Sequence, residues 1–418
     1  MIGYVKSSSA LGYLIGFTAF LGPILGFVSP KGLAPLVIIG SIFSVLILWG
    51  QGRKIKWLGL PASLILVCFC LWALLSSLWS VDPISSITGS ARLFGNILVG
   101  GLLFATIKNL SIEEKKLILK FFFSGFFIAI GLVFLEILLG GPIIIMLKGI
   151  YIQHHGVSGI FWLSPFVVVL CLFIWPIALG IYKKRSFGVM DKYPLLCITS
   201  GFIVILILSV IISFSSGIFA LVCGIFGSVL VLICGRRAAV LASVMLAIVS
   251  FSLPFGFNML QDPISQINSL IPLPTSAEHR IGIWKFTSRK ASENPIIGWG
   301  MNASKNIPGG RAFIFSKDGK QYGRALPLHP HNAILQIWLE LGLPGIILFV
   351  GLCIFVIMAS VNRIYLKFES AAIFGQFVTI LAISNLSFGM WQAWWIALIW
   401  LSAGFMALIT NMDNGADL

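Results

Sequence analysis

"LPLHPHNAILQIWLELGLPG", Leu326 to Gly345, carries two histidines and an asparagine into an apolar run that Gly342-Leu343-Pro344-Gly345 interrupts before the oily sequence continues to residue 360. A water-soluble core cannot take up such a segment repeated along a chain, whereas about 17–25 apolar residues in a helix cross the hydrocarbon of a bilayer. The same pattern recurs near 10–29, 33–50, 58–79, 93–107, 117–139, 159–181, 195–213, 217–234, 238–256, 371–388 and 391–410. With the 333–360 segment these make twelve candidate spans. Composition agrees: 58% of the 418 residues are hydrophobic and 10% are charged, with a mean hydropathy of +1.03. The expected fold is all-α and polytopic in a membrane. The N-terminal run lacks a small-residue cleavage site and reads as the first helix, not as a signal peptide.

Loop charges predict the orientation. With Lys6 on the inner side, alternate connections carry Arg53, Lys54 and Lys56, then Lys108, Lys115 and Lys116, then Lys183, Lys184, Arg185 and Lys192, then Arg236 and Arg237, and finally Arg363 and Lys367. The opposite connections hold only Lys31, Arg92 and Lys148 before one long loop. This bias places both termini in the cytoplasm. All five histidines (His154, His155, His279, His329 and His331) then fall outside, while the seven cysteines lie in or at the ends of apolar segments. No disulfide framework and no Cys/His spacing of a metal site follows.

The division is therefore 1–256 with nine spans, 257–331 as an outer loop with an amphipathic helix, and 332–418 with three spans. The loop holds nine cations, among them Arg280, Arg311 and Arg324, against Asp262, Glu278, Glu293 and Asp318. One reading is a solvated basic surface facing anionic lipid head groups, with no nucleic-acid partner expected; the sharper one is a site for a phosphate-bearing ligand. Within it, "TSAEHRIGIWKFTSRKASENP" opens with Thr275 and Glu278, a capping-box spacing. Arg280, Trp284, Thr287 and Ala291 share one helical face, which suits an interfacial helix lying on the bilayer. Arg280 can grip phosphate oxygens, or equally snorkel or stack on Trp284.

The opening stretch predicts a helix starting at His331–Asn332, with free N–H groups that favour an anion. His331 is the side chain suited to take a proton near neutral pH; a capping or interfacial histidine is the bland alternative. A metal site needs more ligands than His329 and His331 supply, and no nucleophile is placed for a hydrolase triad. No Asp-x-Asp pair stands outside, so a metal-dependent sugar transferase is poorly supported. If diphosphate leaves, arginines must neutralise it.

"HNAILQIWLELGLPG" resembles the signature of the O-antigen ligase and polymerase family: His-Asn, nine residues, Gly, two residues, Gly. "RIGIWKFTSRKASENPIIGWG" is similar to the family's Arg…Trp…Asn-Pro…Gly-x-Gly block, and "SSLWSVDP", Ser76 to Pro83, to a stretch such proteins carry after an early helix. With the helix layout, the resemblance covers most of the chain and centres on about 200–355. It implies glycosyl transfer on the periplasmic face of the bacterial inner membrane. A glycan on undecaprenyl diphosphate moves to an acceptor sugar hydroxyl, without cofactor, nucleotide or metal. It implies His331 as the base and Arg280 as a diphosphate ligand, with Asn332, Trp284, His329, Gly342 and Gly345 supporting. The family often has an arginine, in a Ser-Arg pair, before the eighth helix; here "SFSSGIF" places Ser216 there, leaving Arg92, Arg311 or Arg324 to supply a second contact.

The leading functional expectation is O-antigen ligation to lipid A–core. A polymerase extending a surface polysaccharide uses the same chemistry on another acceptor, and transfer of a glycan to protein is a third possibility. A transporter or flippase of lipid-linked sugar is a different class; the broken tenth segment suits it, but the apolar helices hold few ionisable groups, chiefly Glu136 and Glu340, and no inverted repeat stands out.

Overall fold

Apolar runs with no water partner for their backbone must close their own hydrogen bonds, so they become helices. The computed structural model describes residues 8–55, 57–147, 162–184, 189–270, 272–315, 319, 321–362 and 366–412. His154, His155, Lys148, Lys317, Asp318 and Lys320 lie outside these residues, as do Lys6, Lys56, Arg185 and Arg363 of the charge pattern. Twelve described helices are long and apolar enough to span a membrane. They are α1 (Ser8–Val28), α2 (Leu33–Gly50), α3 (Leu60–Leu75), α4 (Pro83–Lys108), α5 (Ile112–Leu138) and α6 (Ser164–Tyr182). After these come α7 (Pro194–Ile211), α8 (Ser215–Cys234) and α9 (Arg236–Met259). Beyond the loop helices α10 (Pro263–Asn268) and α11 (Thr275–Glu293) lie α12 (Ala333–Ser360), α13 (Lys367–Leu386) and α14 (Ala393–Thr410). The chain is an all-α multi-pass membrane protein.

The fourth span begins ten residues earlier than hydropathy predicts. Asp82 caps it by accepting from Ser85 N at 3.0 Å, with Pro83 in the first turn, and the Ser, Thr and Gly residues that follow had masked its helical character. One small departure from all-helix stands in the loop. Strands β1 (Phe313–Phe315) and β2 (Gln321–Arg324) pair antiparallel, Phe313 opposite Arg324.

Helix α6 is the buried centre. Its Phe173 meets Phe122 of α5 edge-on at 5.3 Å, and Phe122 packs on Phe405 of α14 at 4.2 Å. By contrast α7 turns Leu195 and Leu196 outward, at 68% and 67% exposure, which only a lipid-facing helix tolerates as a pattern. A second core joins α3, α9, α12 and α13 through Phe69, Leu246, Trp338 and Phe374. A third is smaller and sits in the loop, where Ile283 of α11, Ala303, Ile307 and Leu326 pack on Leu339 of α12. It fixes the loop to the broken helix.

Two helix starts show what capping requires. Ser111 and Glu114 form a reciprocal capping box on α5. The box expected at Thr275 and Glu278 does not form. The cap position of α11 is Pro274, whose carbonyl takes the N–H of Ala277 and Glu278, and the Glu278 carboxyl instead accepts from Asn268 Nδ2 at 2.6 Å. The face with Trp284, Thr287 and Ala291 is also not laid on a bilayer. Thr287 and Ala291 are buried in the protein, and Trp284 meets Phe257 of α9 edge-on at 5.8 Å.

Candidate functional site

The break in α12 organises the site. Gly342 has φ +62° and ψ −155°, a backbone state that side-chain-bearing residues scarcely occupy. The helix therefore loses its own hydrogen bonds there, and the segment 295–300 supplies replacements. Trp299 N donates to Leu339 O at 2.8 Å and Gly300 N to Glu340 O at 2.9 Å, while Leu343 N donates to Pro295 O at 3.0 Å. The indole of Trp72 in α3 completes the set on Leu341 O at 2.8 Å. Backbone meets backbone so closely that glycines are required on both sides. A Cβ on Gly342 would lie 2.4 Å from Ile296 O, and one on Gly298 would lie 2.5 Å from Glu340 O. Gly345, already back in the helix, sits over Leu341.

The Ser76–Pro83 stretch packs on the same segment. Trp79 Nε1 donates to Ile297 O at 3.1 Å, Met301 N to Ser76 Oγ at 2.8 Å, and Ser86 Oγ to Met301 O at 2.6 Å. Gly300, at φ +102°, is the residue over which Ser80 can fit. Three motifs distant in sequence thus meet at one point.

At the N-terminal end of α12, Asn332 is the cap: its Oδ1 accepts from Leu335 N at 2.9 Å. Asn385 Oδ1 takes the N–H of Ile334 at 3.3 Å. The expected anion site on free N–H groups is therefore corrected, because side chains already occupy two of them. His331 precedes the cap in left-handed backbone, φ +55°, outside the helical face it was expected to share with Leu335 and Trp338. Its ring is half-buried. Nδ1 lies 2.7 Å from Ser387 O in the α13–α14 connection. A carbonyl only accepts, so Nδ1 carries the hydrogen and Nε2 of the neutral ring keeps its lone pair. Burial pulls the His331 pKa below the ordinary histidine value; the Ser387 bond works the other way, and the charges of Arg280 and His279 add to the lowering.

His329 lies beside it, ring centroids 4.2 Å apart, and its Nδ1 accepts from His331 N at 3.2 Å. Burial first, then the His331 and Lys305 charges, push His329 down to about 3. Arg280 is half-buried on α11 and reaches Ser216 Oγ on α8 at 3.3 Å. Ser216, at the turn where the resemblance leads one to expect an arginine, is thus a neighbour of Arg280. Trp284 Nε1 donates to Pro330 O at 3.0 Å, tying α11 to the histidine segment. Arg324 ends β2 with its side chain exposed, and its carbonyl meets His279 Nε2 at 2.9 Å. Arg92 is exposed on α4, with no hydrogen bond or ion pair among the described residues. Arg280 lies near enough for its charge to act on His331, whereas among the described residues neither Arg92 nor Arg324 makes a hydrogen bond or ion pair with either.

One residue of the site had counted only as an acid within an apolar helix. Glu340 is fully buried, and both its carboxyl oxygens accept. One takes Trp391 Nε1 and Asn302 N, each at 2.6 Å; the other takes Ser304 Oγ, and Gln336 Nε2 at 3.3 Å. Gln336 Oε1 in turn accepts from Met390 N at 2.9 Å. Glu340 thereby joins α12, the loop and the connection that carries Ser387. A lone acid in an oily run was the available signal. Among the described residues no three of His, Cys, Asp and Glu converge as metal ligands do.

Residues 201–350 match the O-antigen ligase family. A Rickettsia conorii (strain ATCC VR-613 / Malish 7) protein named "Putative polysaccharide ligase" is 27% identical, covering 97% of this chain and 99% of its own. A Rickettsia prowazekii (strain Madrid E) protein of the same name is 27% identical over 82% of this chain and 80% of its own. One from Rickettsia felis (strain ATCC VR-1525 / URRWXCal2) is 38% identical over 34% of each. The family region runs from α7 into α12 and takes in the loop helix, the histidine segment and the helix break, so the part of the chain that is similar to the O-antigen ligase family is the part that builds this site.

Proposed function

We propose that the protein is a metal-independent glycosyltransferase that moves a glycan from undecaprenyl diphosphate to an acceptor sugar hydroxyl, with lipid A–core as the acceptor. His331 Nε2 takes the hydroxyl proton as that oxygen bonds to the anomeric carbon, and the carbon–phosphate-oxygen bond breaks. Arg280 balances the charge arriving on the departing diphosphate. The observation that carries this reading is the Nδ1–H bond of His331 to Ser387 O, which leaves a lone pair on Nε2 beside a guanidinium. The loop charge pattern supports both termini in the cytoplasm and the site on the periplasmic side of the inner membrane.

The relatives' printed name favours a ligase over a polymerase. The test is reconstitution with lipid-diphosphate glycan and lipid A–core, comparing wild type, His331→Ala and Arg280→Ala. Loss of transfer in both variants, with folding retained, is expected. Normal transfer in both overturns the site. Transfer only onto a second carrier-linked glycan makes the protein a polymerase.

A further inference from the structure

Two neutral donors face each other beside His331. His329 has two ring nitrogens and, uncharged, one hydrogen to place. Its Nδ1 accepts the backbone N–H of His331 at 3.2 Å, so the hydrogen belongs on Nε2. The opposite tautomer would set a ring N–H against that backbone N–H, leaving the latter without a partner in a half-buried turn. His329 Nε2 then points at Gln392 Nε2, 3.5 Å away. The orientation of Gln392 is fixed independently, because the indole of Trp394 only donates and lies 2.8 Å from Gln392 Oε1. The amide edge towards His329 is therefore the NH2 group. Donor meets donor, and neither can satisfy the other.

The His329 ring has close neighbours on two sides. It is held between the His331 ring at 4.2 Å and the backbone of Gly389, where a Cβ would fall 2.8 Å from His329 Cδ2. Both side chains remain half-buried, hence reachable. Two N–H groups whose nitrogens stand 3.5 Å apart are both satisfied by one oxygen that accepts from each.

We propose that His329 and Gln392 form a subsite for an uncharged oxygen of the acceptor saccharide, next to the hydroxyl that His331 deprotonates. This rests on the transferase reading above. Both donors are neutral, as suits a hydroxyl or ring oxygen. The fixed positive charge of Arg280 lies on the Ser216 side of the site and suits the diphosphate. Exposed Lys305, whose charge reaches His329, makes a phosphate oxygen the competing occupant, and the experiment separates the two.

The test uses full-length protein in proteoliposomes with an undecaprenyl-diphosphate glycan donor and lipid A–core acceptor. KM for each and kcat are measured for wild type, Gln392→Leu and Gln392→Glu, with thermal unfolding to confirm the fold. One lost hydrogen bond to a neutral oxygen predicts an acceptor KM raised about 2- to 10-fold in Gln392→Leu. The rise is larger in Gln392→Glu, which turns a donor into an acceptor of the same shape; donor KM and kcat stay within about 2-fold. Unchanged acceptor KM, a rise in donor KM instead, or a fall in kcat alone overturns the subsite. A wild type that joins glycan to no acceptor overturns the transferase reading and this inference with it. An active wild type with unaffected variants overturns the inference alone.

Discussion

Gly342→Ala asks whether the break in α12 is required or tolerated. At φ +62° and ψ −155° an alanine carries a strain of about 1–3 kcal/mol before any contact is considered. Its Cβ would sit 2.4 Å from Ile296 O and 2.7 Å from Gly298 N, both backbone atoms that no rotamer change can move. Relief requires shifting the 295–300 segment. That endangers the Trp299–Leu339, Gly300–Glu340 and Leu343–Pro295 bonds, and a buried group left without its partner costs about 1–3 kcal/mol. Strain plus one or two such losses comes to about 2–9 kcal/mol. An unfolding entropy of about 2.1 cal/mol/K per residue makes 1 kcal/mol equal to about 1 °C in Tm for a chain of this length, so a fall of about 2–10 °C is expected. Thermal unfolding in one detergent measures it, with Gly351→Ala on the same helix as control. Gly351 has regular helical backbone and open space where a Cβ would go, so alanine there is neutral or stabilising by up to about 1 kcal/mol. Equal Tm values for the two variants would refute the view that the break is held by backbone contact.

Because its pKa is lowered, His331 is neutral at pH 7; kcat/KM is expected to be flat through neutrality and to fall in acid with a midpoint below 6.5, and a midpoint above 7 would contradict this. For stability the sign is the same: His329 is ordinary when unfolded and at about 3 when folded, so its contribution is present above 6.5 and is lost as pH falls from 6.5 towards 3, which unfolding at stepped pH in a His329→Gln background would detect by its disappearance. Arg280→Lys keeps the charge but loses the fork; donor KM is expected to rise about 10- to 100-fold with acceptor KM unchanged, and steady-state kinetics at varied donor decides it. Glu340→Gln turns an NH2 group towards two of its four donors, costing about 2–4 kcal/mol by thermal unfolding and lowering kcat without changing either KM. Unchanged kcat in that variant would separate Glu340 from the placement of Ser387.

The spans were legible because the partition between lipid and water is a property of each segment by itself, so a run such as 195–213 declares itself without its neighbours. The start of α4 escaped because capping by Asp82 is a matter of one carboxyl, not of hydropathy. His331 was legible by position: a titratable group at the mouth of an apolar helix has few structural uses. Its tautomer was not, since Ser387 lies 56 residues away and its carbonyl is backbone, common to every residue. The dock of Ser76–Pro83 on 297–301 spans over 200 residues, and its only local trace is Gly298 and Gly300, whose spacing shows that something approaches the backbone but not what. Glu340 left a stronger trace, because a carboxyl group in an oily helix must find donors, and Trp391, Asn302 and Ser304 are those donors. A hydrogen-bonded hub in the helix that follows His331, reaching the connection whose Ser387 carbonyl holds the His331 ring, makes the N-terminal end of α12 and the α13–α14 connection one mechanical unit. The proposed base is then held by the requirement that Glu340 and the broken backbone be satisfied, and a loss at either reaches His331 without touching it.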